Sequence, residues 1–266
     1  MSSFGSILTT SDGFGIIMRV INGITTINAT VMKMLKPLNR VSPTGISPAI
    51  CSTGLPGVAA NRGIELLGIT EHAPGIPGTC DPIYFRNLHV VPREMYGVKL
   101  LLGAELNILD KNGTLDLDEY YYSILDLRIA GVHTLCWDGG TREENTQGMI
   151  NVVRNPWVQI ISHPGDGAAE LDFEPIVLAA GESKTLLEIN NSSLIPSRRK
   201  LQARGNNIDI LRLCRKHGVP VILGSDAHTA FSIADYCYLW DLLEETNFPS
   251  ELIMNDKPDD FLAYIS

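Results

Sequence analysis

The sequence predicts an α/β protein built from parallel β/α units, and three observations lead to this prediction. Short apolar runs of strand length recur along residues 63–266. Stretches with apolar residues at helical spacing separate several of these runs. Most of the runs are followed by a histidine or a carboxylate. In parallel barrels, chemically active residues commonly lie at the carboxyl ends of the strands. This alternation favours a parallel sheet whose strands are connected by helices.

The individual elements follow from the same patterns. The predicted strands are residues 64–70, 98–108, 125–132, 158–162, 185–189 and 219–224. The predicted helices are residues 142–153, 173–180 and 208–217, the last with Gly218 as a C-cap. Nearer the N-terminus, residues 15–35 predict a weakly amphipathic helix, and residues 37–56, rich in Pro, Gly, Ser and Thr, predict a loop.

Composition excludes several classes of protein. With 266 residues, 44% hydrophobic and 19% charged, the chain is globular and long enough for one α/β barrel or two small domains. A formal net charge of −9 repels a phosphate backbone, so no nucleic acid partner is expected. Five widely spaced cysteines without a C-x-x-C motif argue against disulfides and a thiolate zinc site, and favour a cytoplasmic protein. Neither a secretory signal nor a membrane span is recognisable.

The chain changes character near Arg62. Residues 1–62 contain a single acidic residue, Asp12, and no histidine, whereas all six histidines of the chain come later. We therefore predict an atypical N-terminal segment without a recognisable motif at residues 1–62, followed by a separate domain at residues 63–266.

Residues that can bind metal or phosphate accompany the six predicted strands. They are, in order, Glu71 and His72, Glu105, His133, His163, Glu188 with Asn190 and Asn191, and Asp226 and His228. Successive candidates from His72 to His163 are 33, 28 and 30 residues apart, each about the size of one β/α unit. In a closed parallel barrel all strand carboxyl ends open on one face, so these side chains are expected to converge. The predicted metal ligands are His72, Glu105, His133, His163, Asp226 and His228.

Each of these residues also has a simpler interpretation. A single histidine after a strand is more often a surface or hydrogen-bonded residue than a ligand, and His89 and His217 are assigned such structural roles. Glu71 and Glu188 are equally well explained as solvated or paired carboxylates. Arg198, in the basic cluster 198–200, is a candidate for binding a substrate phosphate through its forked guanidinium, or else an exposed loop charge. Four of the six histidines at strand ends, together with Glu105 and Asp226, make coincidence a poor explanation.

The motifs around these residues resemble a known family. They are G-I-T-E-H around His72, G-A-E-L-N around Glu105, A-G-V-H around His133, I-I-S-H-P-G around His163, L-E-I-N-N-S-S, and L-G-S-D-A-H-T-A-F ending at Phe231. As an ordered set they resemble the PHP superfamily, named for polymerase and histidinol phosphatase, and especially its stand-alone bacterial phosphatases. The resemblance extends from Gly63 to the end of the chain.

The resemblance implies a distorted (β/α)7 TIM-like barrel with a centre of two or three metals at its C-terminal face. Glu105 would bridge metals, His133 and His163 would complete one site, Asp226 would belong to a second, and His72 and His228 to a third. Imidazole and carboxylate ligands favour divalent ions, with zinc first and manganese or iron as alternatives. Such a centre, with Glu105, Asp226 and His228 as catalytic residues and Arg198 binding substrate, would hydrolyse a small phosphorylated metabolite with metal-activated water.

One part of the family pattern is missing. Family members begin with a strand that carries an H-x-H motif and a third histidine shortly after it. The corresponding positions here are Val41, Pro43 and Ala49, which cannot bind metal through their side chains. We therefore expect a degenerate first strand, a reduced number of metals and weak hydrolysis. Residues 1–62 are then either a misread or foreign segment, or part of a genuinely depleted centre; the alternative function is a non-catalytic metal- or phosphate-binding homologue.

Overall fold

The computed structural model describes residues 48–266, with side chains described from residue 54 onward. The helix predicted at residues 15–35, and the positions of Val41 and Pro43, lie outside the described residues. Ala49 lies within the first described helix, but its side chain is outside the description.

One mostly parallel sheet forms the centre of the described region. Six parallel strands follow the order β1-β3-β4-β5-β6-β7, and β2 pairs antiparallel with β3. The strands are β1 (Leu66–His72), β2 (Glu94–Met95), β3 (Val98–Asn107), β4 (Leu127–Gly131), β5 (Ile160–Ile161), β6 (Leu186–Asn190) and β7 (Val221–Gly224). The sheet curls into a half-barrel, and within residues 48–266 no strand joins β1 to β7. The predicted α/β class with a TIM-like barrel fold is confirmed, and each of the six predicted strands overlaps an observed one.

Helices precede, connect and follow the strands. They are α1 (Pro48–Asn61), α2 (Pro82–Asn87), α3 (Glu119–Ile124), α4 (Arg142–Val153), α5 (Phe173–Ser183), α6 (Ala203–His217), α7 (Trp240–Thr246) and α8 (Pro258–Tyr264). Helix α4 has the predicted bounds because Thr141 and Glu144 form a capping box at its start. Helix α6 ends at Gly218, whose φ of 68° is the left-handed conformation that glycine adopts readily. No helix in this part of the chain is long and apolar enough to cross a membrane.

The loop predicted at residues 37–56 is wrong for its last part, because residues 48–56 belong to α1. Local composition, including Pro56, disfavours a helix there. Tertiary packing outweighs that preference: Ala59 is fully buried in the main core, and Leu55 and Val58 pack against it. The boundary expected between residues 62 and 63 stays a prediction.

Alternate residues of the strands face two different cores. On the outer face, the main apolar core lies between sheet and helices and includes Ala130, Ile161 and Leu187. On the inner face, their neighbours Ile129, Ile160 and Leu186 form a smaller cluster with Phe261 of α8. The cluster also contains Leu66, Leu127, Ile222 and Met254. Both faces are thus covered by apolar side chains, as expected for parallel strands.

Candidate metal centre

The sheet register brings the candidate ligands to one edge. His72 is the last residue of β1 and pairs in register with Glu105 of β3. Glu105 pairs with Ile129 of β4 and therefore lies on the inner face, above the small apolar cluster. His133 and His163 each follow two residues after the end of a strand, β4 and β5 respectively. Four side chains from four strands or their carboxyl ends are thereby gathered at the rim of the half-barrel.

Glu105 is the centre of this group and is completely buried. Its Oε1 lies 3.1 Å from Nε2 of His163 and 3.4 Å from Nε2 of His133, and these two nitrogens are 3.2 Å apart. Its other oxygen, Oε2, lies 3.5 Å from Nδ1 of His72. One ligand atom each from His72, Glu105 and His133 also lie within 4.8 Å of one another. The carboxylate therefore lies between His72 on one side and His133 and His163 on the other, which is the arrangement that a bridging ligand requires.

These side chains fit a metal ion. Nδ1 of His72, Oε2 of Glu105 and Nδ1 of His133 are buried and make no hydrogen bond within the described part of the chain. Buried polar atoms are normally hydrogen-bonded, so unsatisfied atoms on three neighbouring side chains indicate another kind of partner. Two nitrogen or oxygen ligands of a tetrahedral zinc ion, each about 2.0–2.1 Å from it, lie roughly 3.3 Å apart, close to the spacings around Glu105.

The pKa values of the group reflect its mutual electrostatics. Burial lowers the pKa of His72, and the charge of Glu105 only partly offsets this. Burial alone would raise the pKa of Glu105, but the neighbouring His72, His133 and His163 hold that pKa well below its usual value. For His163, burial lowers the pKa, yet Asp166 and Glu105 together raise it to about 9. Glu105 is therefore a carboxylate at neutral pH, which is the form that binds metal.

His163 is held in place by neighbouring elements. Its backbone has a φ of 34°, a left-handed conformation that a histidine adopts only when its surroundings impose it. The backbone N–H of His163 donates a hydrogen bond to Oε2 of Glu188 on β6 at 2.9 Å. Nδ1 of its ring lies 3.4 Å from Oδ2 of Asp166. The histidine is thus fixed from both its main chain and its ring, as metal-binding histidines commonly are.

A cavity of about 700 Å³ opens above this group. Its lining includes His72, His133 and His163 together with Asp226, His228 and Arg198. Asp226 has a φ of 46°, and Nδ1 of His228 lies 3.0 Å from the Asp226 carbonyl oxygen. The structure therefore brings every predicted site residue either into the Glu105 group or into the lining of this cavity. Asp226 and His228 both line this cavity, and the charge of Asp226 acts on the His72 ring, where it partly offsets the lowering of the His72 pKa by burial.

The histidines left out of the predicted site lie away from the cavity. Nδ1 of His89 contacts the carbonyl oxygen of Arg86 at 2.7 Å on an exposed surface. Nε2 of His217, in the last turn of α6, contacts Oε1 of Glu174 at 2.9 Å. Glu71 is buried on β1 but does not line the cavity, and Glu188 lies beneath His163.

Comparison with known proteins identifies the family. A probable phosphatase of Clostridium novyi is 42% identical over 207 residues, which are 78% of this chain and 84% of that protein. A probable phosphatase of Acetivibrio thermocellus is 39% identical over 207 residues, 78% of this chain and 85% of that protein. The chain belongs to the PHP superfamily. It falls in the branch of stand-alone bacterial phosphatases and is by family a phosphoric monoester hydrolase, as its motifs predict.

A solved structure supports the PHP fold independently. Histidinol phosphate phosphatase from Lactococcus lactis, crystallised with zinc, L-histidinol and phosphate, matches with a TM-score of 0.51 at 21% identity. The match covers 82% of this chain and 95% of that chain. At this level of identity the likeness shows the fold alone. No family model matches the chain.

Two residues of this PHP phosphatase site escaped the reasoning from sequence. Asp166 is only 7% exposed and contacts both His163 and Lys200. Asp166 follows His163 by three residues, in the S-H-P-G-D stretch, and this short spacing was the available signal for it. Lys200 was visible only as one member of the basic cluster 198–200, and nothing local distinguishes it from Arg198 or Arg199.

Proposed function

We propose that this PHP protein hydrolyses a small phosphate monoester with metal-activated water, at a reduced metal centre organised by Glu105. One observation carries the proposal: the two oxygens of a fully buried carboxylate face different imidazoles at 3.1–3.5 Å. A carboxylate with donors on both sides suits a bridging role, and its low pKa keeps it charged and ready to bind a cation.

The ligand set favours a divalent ion held by Glu105, His133 and His163. His72, with Asp226 and His228 in the cavity lining, would serve further metal positions. Zinc is the first choice for imidazole and carboxylate donors, with manganese or iron as alternatives. When bound, such an ion polarises a phosphoryl oxygen and lowers the pKa of bound water toward about 7.

The side chains around the cavity would orient the substrate and exchange protons with it. The carbonyl oxygen of Asp226 can only accept a hydrogen bond, so the 3.0 Å contact with Nδ1 of His228 fits a hydrogen on Nδ1 and leaves Nε2 as the ring nitrogen available to a ligand. Through Nε2, His228 would bind a metal where that position is filled, and would accept or return a proton where it is empty. Arg198, which lines the same cavity, can bind phosphate oxygens in a bidentate manner. Glu105 itself is completely buried, so its charge acts on neighbouring groups with little screening by water.

A small substrate is favoured over a macromolecule. The cavity of about 700 Å³ has the size of small-molecule sites. A net charge of −9 disfavours a nucleic acid. Four cysteines with described side chains, Cys80, Cys136, Cys214 and Cys237, are free thiols, in keeping with action in a reducing cytoplasm.

We further propose that activity of this chain is weak. The H-x-H motif and the third histidine of the family have no counterpart at Val41, Pro43 and Ala49, so the second and third metal positions lack ligands. The alternative is a homologue that binds one metal or a phosphorylated ligand without turnover. It is favoured by the same missing histidines, and the two functions differ in whether phosphate is released.

Elemental analysis of the purified protein tests the proposal. Moles of zinc, manganese and iron per chain are measured by plasma mass spectrometry, with Glu105→Ala as the control. Phosphate release from an aryl phosphate is measured in parallel with added zinc or manganese. We expect about one metal per chain, absent in the control, and slow metal-dependent release. Metal binding without any release would favour the non-catalytic alternative, and no metal at all would overturn the proposed metal-dependent hydrolysis.

A further inference from the structure

We propose that Lys200 is a phosphate-binding residue of the cavity, held beside the metal centre by the buried carboxylate of Asp166. The inference rests on the proposed function, because it supplies the substrate's phosphoryl group with a second cation besides the metal. It goes further than the assignment of Arg198, since it distinguishes among the three basic residues 198–200.

Asp166 joins a ring of the metal centre to the basic cluster. Its Oδ2 lies 3.4 Å from Nδ1 of His163 and accepts a hydrogen bond from Nζ of Lys200. Its Oδ1 accepts a hydrogen bond from the backbone N–H of Ala168 at 2.8 Å. A single carboxylate oxygen thus contacts both the imidazole and the ammonium, which fixes the Lys200 Nζ close to the His163 ring.

The simplest alternative is an ordinary ion pair that only neutralises Asp166. Two lysine–carboxylate pairs elsewhere in the described residues show what such a pair looks like: Lys111 and Lys216 contact Glu144 and Glu174, whose side chains are 39% and 44% exposed. The partner of Lys200 has a side chain only 6% exposed. A surface pair of two flexible side chains contributes little, whereas a buried carboxylate at the edge of a cavity fixes its cation.

Lys200 keeps donors available for a ligand. An ammonium group carries three N–H donors, and Asp166 takes one of them. The Lys200 side chain is 36% exposed and lines the same cavity as His133 and His163. An anion above the metal centre can therefore accept from the remaining donors without displacing Asp166.

The neighbouring arginines are not held in this way. Arg198 and Arg199 also line the cavity, but their guanidinium groups make no hydrogen bond or ion pair within residues 54–266. Each arginine would lose side-chain conformational entropy on binding phosphate. The Lys200 side chain is already restricted by its contact with Asp166, so it would lose less. Lys200 is therefore the preorganised cation of the cluster.

Calorimetric titration of the purified, metal-containing protein with sodium phosphate tests this assignment without any need for turnover. In Lys200→Gln we expect the dissociation constant for phosphate to rise about tenfold, the usual loss for a charge-assisted hydrogen bond. Lys200→Arg should recover most of the affinity. Lys216→Gln, which removes a lysine from a carboxylate outside the cavity, is the matched control and should bind like wild type.

A double-mutant comparison tests the role of Asp166 as a positioning residue. In an Asp166→Ala background we expect Lys200→Gln to change the dissociation constant by less than about threefold, because the oxygen that accepts from the ammonium is gone. An undiminished Lys200→Gln effect in that background would show that Asp166 does not position it. Equal phosphate affinity of wild type and Lys200→Gln, or no binding to wild type, would overturn the assignment.

The same samples separate this inference from the proposed hydrolysis. If phosphate binding depends on Lys200 but no phosphate is released from aryl phosphates, the Lys200 subsite is supported and the proposed hydrolysis is refuted. If phosphate is released and Lys200→Gln leaves KM unchanged, the proposed hydrolysis is supported and the Lys200 subsite is refuted. Where both hold, Lys200→Gln should raise KM more than it lowers kcat.

Discussion

Glu188, in the middle of β6, accepts a hydrogen bond at 2.9 Å from the backbone N–H of His163, which follows the neighbouring strand β5 and is 25 positions away in the sequence. The same oxygen, Oε2, accepts from the side-chain amide of Asn190 at 2.9 Å. Glu188 is 2% exposed and thus acts inside the half-barrel. This contact explains how a histidine with a φ of 34° is kept in that conformation beside the metal centre.

Replacing Glu188 should therefore weaken metal binding. Glu188→Ala removes the acceptor for the His163 backbone, and we expect metal affinity to fall by about tenfold or more, as for other groups that orient metal ligands. Glu188→Gln keeps an acceptor oxygen, so its metal affinity should fall less. Metal affinity is measured by competition with a chromophoric chelator. Glu182→Ala removes an exposed carboxylate that pairs with Arg154 at 3.2 Å and is the control. Equal affinity of wild type and Glu188→Ala would contradict this role.

A second prediction concerns the close packing of β3 and β4. A Cβ added at Gly103 would lie 1.8 Å from the backbone carbonyl oxygen of Leu127, which cannot move without breaking the sheet. Gly103→Ala should lower the free energy of unfolding by at least about 3 kcal/mol, or prevent folding. Gly205 of α6 has nothing within 4 Å of an added Cβ, so Gly205→Ala should raise that free energy by about 0.5–1 kcal/mol. Urea denaturation followed by circular dichroism measures both, and equal effects of the two substitutions would contradict the argument.

The cysteines should differ in reactivity. Cys214 is completely buried in the main core, and burial raises the pKa of its thiol to about 12. At pH 8 it carries almost no thiolate, the reactive form. Among the four cysteines with described side chains, iodoacetamide should therefore modify exposed Cys237 first and Cys214 only after unfolding in urea. Peptide mass spectrometry over a time course reports the order, and early labelling of Cys214 in the folded protein would refute its burial.

A fourth prediction separates the ligand histidines from a structural one. His133→Ala removes a nitrogen that lies 3.4 Å from Glu105 Oε1, so the metal content per chain should fall toward zero. His217→Ala removes an imidazole that contacts Glu174 at 2.9 Å outside the cavity, so its metal content should equal that of wild type. Plasma mass spectrometry of the two variants, purified in parallel, measures the difference. If His133→Ala retains its metal, His133 is not a required ligand of the ion.

Much of the fold could be predicted because burial leaves a local trace. Parallel strands covered on both faces must be apolar throughout, so β1, β3 and β7 stand out as apolar runs. Helix α4 has its predicted bounds because its capping box is written in adjacent residues. Helix α1 was missed because packing of Ala59 against the core, rather than helix propensity, forms it.

The sequence by itself determined the fold class and the candidate ligands, since one chemically active residue arrives with each β/α repeat and such repeats place their strand ends on one face. Only the tertiary structure decided which atoms meet. The contacts of Glu105 with His163, of Glu188 with His163 and of Asp166 with Lys200 join residues 58, 25 and 34 positions apart. Their formation depends on strand register and loop conformation, which arise from the packing of the whole sheet and leave no local pattern in the sequence.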